Sequence, residues 1–319
     1  MKKISIIIPF LNAENCIEKC IENLLRQTYE NIEIVLINDN SSDDSEKLAK
    51  KYLENEKVKY YKVEEDTIGN SRARNLGIEK STGDYFIFVD VDDYIDENLL
   101  SNLSKYIDED YDLVKYKMTF VSKNNEIIKK VGGPVFEELN GEEAFNRLCF
   151  EDVLLDSPCV YLIKKEIFIR EKFKFKENTY HEDFGLIPQV ILKAKKVASC
   201  DIYGYFYIQS ENSIMRDEKK NLKKAYDKLA HYDNIVNCLE KMSISEKTKE
   251  NVRIYYTNSI IMCLKDLDGN DSDDFIREIK KRKMHKNIKV RNFRQLVKRI
   301  IFANLGTFPK LPFGKKGTD

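Results

Sequence analysis

No stretch of the chain approaches the roughly 18 consecutive apolar residues that a membrane-spanning helix needs. With 34% charged residues and a mean hydropathy of -0.51, the composition argues against an integral membrane protein. The opening residues do not read as a secretory signal either. Met1-Lys2-Lys3 leads into an apolar run that Pro9 and Asn12 interrupt too early for a signal-peptide core, so a cytoplasmic location is expected. The seven cysteines are odd in number, scattered and never spaced C-x-x-C, which points away from both a disulfide framework and a zinc knuckle. Neither G-x-x-x-x-G-K-[ST] nor G-x-G-x-x-G occurs, which removes the P-loop and the dinucleotide fingerprint. Internal repeats and low-complexity segments are absent, and no Ser-His-Asp arrangement follows from the spacing.

What is present is a globular chain of 319 residues, 42% hydrophobic, enough for one large domain or two ordinary ones. Its formal net charge of zero conceals an asymmetry. Between Arg277 and Lys316 stand 14 basic residues and a single acid, Glu278, so an acidic body carries a basic tail. Apolar runs at 4–10, 32–37, 58–63 and 85–91 read as strands, and helical periodicity falls between them, at 16–25, up to about 52, and at 69–80. Strands alternating with helices imply β-α-β crossovers and a largely parallel sheet, an α/β fold of the nucleotide-binding kind. From about 111 to 208 the pattern is less regular, with strand-like YDLVKYKMTF and YGYFYI and a helix near 184–196, and reads as an elaboration on the sheet edge. After about 215 the chain reads as helical and highly charged. In an open parallel sheet ligands bind outside the carboxyl ends of the strands. Asn12, the acids from Asp39 to Asp44, and Asp90 to Asp93 should therefore share one rim.

The stretch YFIFVDVDDYID drives an apolar strand into Asp90, Asp92, Asp93 and Asp96. Two carboxylates about 4 Å apart repel by about 4 kcal/mol at an effective dielectric near 20, a cost that a divalent cation reverses. Mg²⁺ or Mn²⁺ takes one or two carboxylates together with substrate phosphates. An EF-hand starting at Asp90 fails, because its sixth and twelfth positions are Ile95 and Ser101 instead of Gly and Glu. A phosphatase-like hydrolase with a D-x-D nucleophile, and a solvated acidic turn capping the next helix, both stay open on this stretch alone.

The segments SIIIPFLNAENCIEKCIENLLRQTYENIEIVLINDNSSDDS and GNSRARNLGIEKSTGDYFIFVDVDD, followed by HEDFGL and YGYFYIQSENSIMR, together resemble family-2 glycosyltransferases of the GT-A fold. The resemblance covers about two-thirds of the chain. It implies a GT-A catalytic domain over 1–214, with a nucleotide-sugar half at 1–110 and an acceptor half at 111–214, and a helical region over 215–319. It implies an inverting, metal-dependent transfer of a sugar from a nucleotide donor, UDP-linked, to a glycan or lipid-linked saccharide of the cell envelope. Residue by residue, Pro9 and Asn12 would line the first strand's exit, Asp39 would meet the uracil, and Arg74 would sit on the donor side. Asp90 would face the ribose, Asp92 the metal (Mn²⁺ or Mg²⁺) and Asp93 the donor sugar, while Arg216 would touch the diphosphate. Asn38 and Asn40 depart from the family's D-D-G-S and place the conformation of that loop in question.

Inverting transfer needs a base for the acceptor hydroxyl. The resemblance assigns it to Asp183, with Glu182 as the alternative; acids at a helix start also answer the helix dipole. Apolar residues from Val290 to Leu305 recur at helical spacing among lysines and arginines, a basic amphipathic helix. Peripheral contact of 285–305 with an anionic membrane is one expectation, at about 1 kcal/mol per basic residue; packing of that stripe on the catalytic domain is the other. Nucleic acid is not expected, since the aromatics form no stacking platform there. A membrane-associated binding module without turnover is a further alternative.

Overall fold

The computed structural model describes residues 1–64, 70–152, 154–209 and 220–288. The chain divides into two compact units, Met1–Asn212 and Ser213–Asp319. In the first, β1 (Ile4–Phe10), β2 (Ile32–Asn38), β3 (Val58–Lys62) and β4 (Tyr85–Phe88) alternate with α1 (Ile17–Leu25), α2 (Ser45–Lys50) and α3 (Ser71–Lys80). Then follow β5 (Tyr94–Ile95), α4 (Leu99–Asp108), β6 (Leu113–Val121), β7 (Ile127–Val131), β8 (Phe136–Leu139) and α5 (Gly141–Leu148). The unit closes with β9 (Tyr161–Lys164), α6 (Lys165–Glu171), α7 (Glu182–Lys193) and β10 (Val197–Ile208).

Among the described residues these strands form one sheet in the order β3-β2-β1-β4-β9-β6-β10-β5, with β7 beside β6 and β8 beside β10. β1, β2, β3 and β4 are parallel. β9 runs antiparallel to both β4 and β6, and β10 is parallel to β6. Reversing direction twice brings β6 and β10 back to the sense of β1, so the carboxyl ends of all six lie on one rim. The segment 111–208 therefore continues the sheet itself. Periodicity could not reveal β9, because four residues are too few to display a period.

β1 and β2 are buried along their whole length, which is why they read as unbroken apolar runs instead of alternating ones. Pro9 is tolerated inside this central strand for a specific reason. It falls past the last β1–β4 partner pair, Ile7 with Phe88, so its missing N–H costs no ladder bond. α3 lies close over β1: a Cβ on Gly77 would stand 2.3 Å from Ile7 Cγ2.

The second unit contains α8 (Asn221–Leu239), α9 (Glu246–Met262) and α10 (Gly269–Lys281). Ser245 caps α9 by accepting from the Thr248 N–H, and Arg282 grips Asp233 through Nε at 2.8 Å and Nη2 at 2.9 Å. No described helix is long and apolar enough to cross a membrane. Lys289 onward lies outside the described residues, and with it most of the basic amphipathic segment.

Candidate active site

The loops after β1 and β2 are tied together. The Ser42 N–H donates to Asn12 Oδ1 at 2.8 Å, and the Asn12 N–H donates to Ser41 Oγ at 3.0 Å. Asn12 and Asn40 both sit in the left-handed region, at φ 51 and 62, which asparagine tolerates better than most residues. Asn40 can therefore replace a glycine here. Asn38 Oδ1 accepts from the Ser41 N–H at 2.8 Å while its amide donates to the Tyr60 hydroxyl at 3.0 Å, so this departure is absorbed by the loop's own hydrogen bonds. Asp39 follows directly at the end of β2, its N–H donating to the Phe10 carbonyl at 2.9 Å.

β4 stops at Phe88, and the acidic stretch turns across the rim to become β5, which pairs with β10. Asp92 is exposed; partial desolvation, then Asp90, raise its carboxyl. Asp93 is buried and accepts two hydrogen bonds, from the Tyr205 hydroxyl at 2.7 Å and the Ile208 N–H at 2.8 Å. Burial, then Asp90 and Asp92, nonetheless push its carboxyl up to about 8. The Tyr205 hydroxyl also accepts from the Asp90 N–H at 3.1 Å. One buried phenol thus holds both ends of the acidic turn against β10.

Arg74, on the first turn of α3, is only 5% exposed. Nη1 pairs with Glu182 and Nη2 lies 3.4 Å from Asp90 Oδ1, and the guanidinium rests 5.6 Å from the centres of both Phe88 and Phe175. Arg74, expected on the donor side, is held by protein carboxylates in this structure. Its terminal nitrogens engage two protein carboxylates, so it links the β4 turn to the start of α7. Glu182 is buried with it; burial raises its carboxyl, Arg74 opposes that, and Asp183 adds to it. Asp183 is half-buried at the same helix start, Oδ1 accepting from the Phe184 N–H at 2.7 Å. His181 makes the turn into α7 at φ 57. Cys159 completes the floor, its thiol 3.6 Å from Asp90 Oδ2.

The fold thus brings Asp90, Asp92, Asp93, Arg74, Glu182 and Asp183 together, with Asn12 and Asp39 farther along the rim. Arg216 lies outside the described residues. Tyr205 and Cys159 escaped sequence reasoning: one sits in a tyrosine-rich strand and the other is one of seven cysteines, and nothing local distinguishes either. A cleft of about 860 Å³ elsewhere, lined by Tyr61, Lys62, Arg72, Lys80, Phe168 and Lys174 among others, includes none of the rim aspartates.

Residues 5–170 match the model of glycosyl transferase family 2. The chain belongs to that family. It is 30% identical over 223 residues to the glycosyltransferase GlyG of Streptococcus pneumoniae, covering 67% of this chain and 73% of that one. It is 28% identical over 260 residues to the uncharacterized glycosyltransferase EpsJ of Bacillus subtilis, covering 76% and 74%. Among solved structures it resembles S. aureus TarS residues 1–349 in complex with UDP-GlcNAc, with a TM-score of 0.72 at 18% identity over 90% of this chain and 82% of that one. The mannosyltransferase PcManGT of Pyrobaculum calidifontis, in complex with GDP-Man and Mn²⁺, matches with a TM-score of 0.55 at 11% identity, over 95% and 84%. The fold is therefore GT-A, and this family-2 member is a glycosyltransferase.

Proposed function

We propose that this glycosyltransferase moves a sugar from a UDP-linked donor to a hydroxyl of a glycan or lipid-linked saccharide of the cell envelope, with inversion at the anomeric carbon. The observation that carries the reading is one juxtaposition: the acids after β4 and the acids opening α7 are joined through Arg74. TarS crystallised with UDP-GlcNAc supports the donor class. A minor teichoic acid biosynthesis protein of B. subtilis, 30% identical over 234 residues, supports the envelope setting; this chain spans only 24% of that relative's length.

No group of three or more metal-binding side chains converges among the described residues, and Asp90 is already engaged by Arg74 and Cys159. Exposed Asp92 is the carboxylate left to face outward, which fits a cation shared with substrate phosphates and not one caged by protein. When bound, Mn²⁺ or Mg²⁺ would balance the charge of the departing diphosphate. Asp39 accepts from the uracil, Asp90 faces the ribose, and Asp93 holds the turn on which Asp92 is presented. Asp183 takes the proton of the acceptor hydroxyl, while Glu182, locked to Arg74, keeps the start of α7 in place. Asp183 stands in the first turn of α7, where the helix dipole accommodates an acid, within the same cluster as the acids after β4.

Calorimetry and UDP release over a panel of nucleotide sugars, with Mn²⁺, Mg²⁺ or EDTA, test this reading. EDTA and Asp92→Asn should each abolish metal-dependent binding. Asp183→Asn should keep donor affinity and lower turnover by about 100-fold or more. Donor affinity untouched by both EDTA and Asp92→Asn would overturn the assignment.

A further inference from the structure

α3 runs from the carboxyl end of β3 back to the start of β4, whereas α6 follows the antiparallel β9 and returns toward the rim, ending just before Lys172. Between these helices, flanked by the end of β3 and by residues 173–177, lies the cleft of about 860 Å³. That volume falls within the roughly 300–1,000 Å³ of small-molecule sites. α3 lines it from Arg72 to Lys80, about 12 Å of helix at 1.5 Å per residue. Its wall is stitched in place: Ser71 Oγ donates to the Lys176 carbonyl at 2.8 Å, and the Asn75 side chain donates to the Phe175 carbonyl at 2.9 Å and accepts from the Phe175 N–H at 2.8 Å.

The lining is apolar and wet at once: Ile169 is 66% exposed, and Leu76 and Phe173 are half-exposed. Covering such side chains releases about 25 cal/mol per Å². Six basic residues line the cleft against three acids, Glu64, Glu79 and Glu177, on a body that is otherwise acidic. Four of the six are engaged. Lys62 pairs with Glu46 at 3.0 Å and Lys80 with Glu79 at 2.9 Å, Lys165 donates to the Ser81 carbonyl, and Arg72 has a contact of its own. Lys172 and Lys174 are exposed on either side of Phe173, and among the described residues neither enters an ion pair or a side-chain hydrogen bond. An aliphatic lining that ends in two unpaired ammonium groups matches a ligand with a hydrocarbon chain and a phosphate head. We propose that this cleft binds an amphiphilic phosphate, its chain along Leu76 and Ile169 and its phosphate on Lys172 and Lys174. The lipid end of a lipid-linked saccharide has this chemistry, an attribution that rests on the sugar-transfer reading; the binding itself does not.

Tryptophan is absent from the chain, so Ile169→Trp places a single indole at the cleft, and Ile128→Trp places a single reference indole on exposed β7. In the full chain, dodecyl phosphate below its critical micelle concentration should shift the Ile169→Trp emission to the blue and saturate, while leaving Ile128→Trp unmoved. Inorganic phosphate should give no shift, and neutral dodecyl maltoside should need about ten-fold more. Adding Lys172→Gln and Lys174→Gln should weaken dodecyl phosphate about ten-fold and leave dodecyl maltoside unchanged. Circular dichroism melting checks that each variant folds; should the double change melt early, Lys174→Gln alone decides, with about a three-fold loss. No saturable shift, an equal response from both reporters, an equal shift with inorganic phosphate, or an affinity that ignores the lysine changes overturns the site. Failure of wild type to bind UDP strikes the sugar-transfer reading instead, and the titration, which needs no nucleotide, still decides the cleft.

Discussion

At the residue scale, two buried carboxylates show how partners decide protonation. Glu33 on β2 accepts from Ser5 Oγ at 2.6 Å, Lys3 Nζ at 2.9 Å and Thr82 Oγ1 at 2.8 Å. Burial raises its carboxyl, yet these bonds outweigh burial and hold it at about 2, against an ordinary 4.5. Between those values the unfolded chain binds the extra proton, so this stabilisation is complete above about pH 4.5 and is lost as pH falls toward 2. Denaturant unfolding followed from pH 6 to pH 3 should show a fall that Glu33→Gln reduces by about 2 kcal/mol. Glu182 is the converse case, a buried acid whose counter-ion is Arg74. Arg74→Ala strands that charge and should cost about 3 kcal/mol in urea unfolding; Arg74→Lys, keeping the charge, should recover part of it. Neither role was legible locally. The arginine in SRARN is expected on the donor side, and its burial against Phe88 and Phe175 appears only in the fold.

At the element scale, the site depends on how closely α3 and β10 approach their neighbours. Gly77 permits α3 to lie on Ile7, and Arg74 stands one turn earlier on the same helix. Gly77→Ala should therefore lift the helix, destabilising the chain by about 1–3 kcal/mol and lowering activity together with stability, read by thermal melting beside UDP release. Tyr205→Phe removes the hydroxyl shared by Asp90 and Asp93. It should cost about 1–2 kcal/mol as a fall in denaturant midpoint at unchanged m. The long elements were readable from periodicity: β1, α1, β2, β3, α3 and β6 all fall within or close to the expected spans. β5, β7, β8 and β9 were not expected, because short strands take their identity from the neighbours they pair with and not from their own residues.

At the scale of the whole molecule, Met1–Asn212 contains the entire described sheet and every described site residue. A fragment ending at Asn212 should fold with one cooperative thermal transition by circular dichroism, whereas a fragment that stays unfolded would show that the two units share one folding transition. Composition carried information at this scale as well. A balanced net charge concealed an acidic body and a basic tail, an asymmetry that belongs to linear sequence.

The sequence by itself determined the alternation of strands and helices and the clustering of acids after the fourth strand. Both are local: periodicity records burial, and a D-x-D records charge. Tertiary structure alone decided the rest. Only the antiparallel β9 could return β6 and β10 to the direction of β1 and bring residues more than a hundred positions apart onto one rim. Only burial could convert Arg74 into a bridge between Asp90 and Glu182, because the cost of desolvating a charge appears when the chain closes around it.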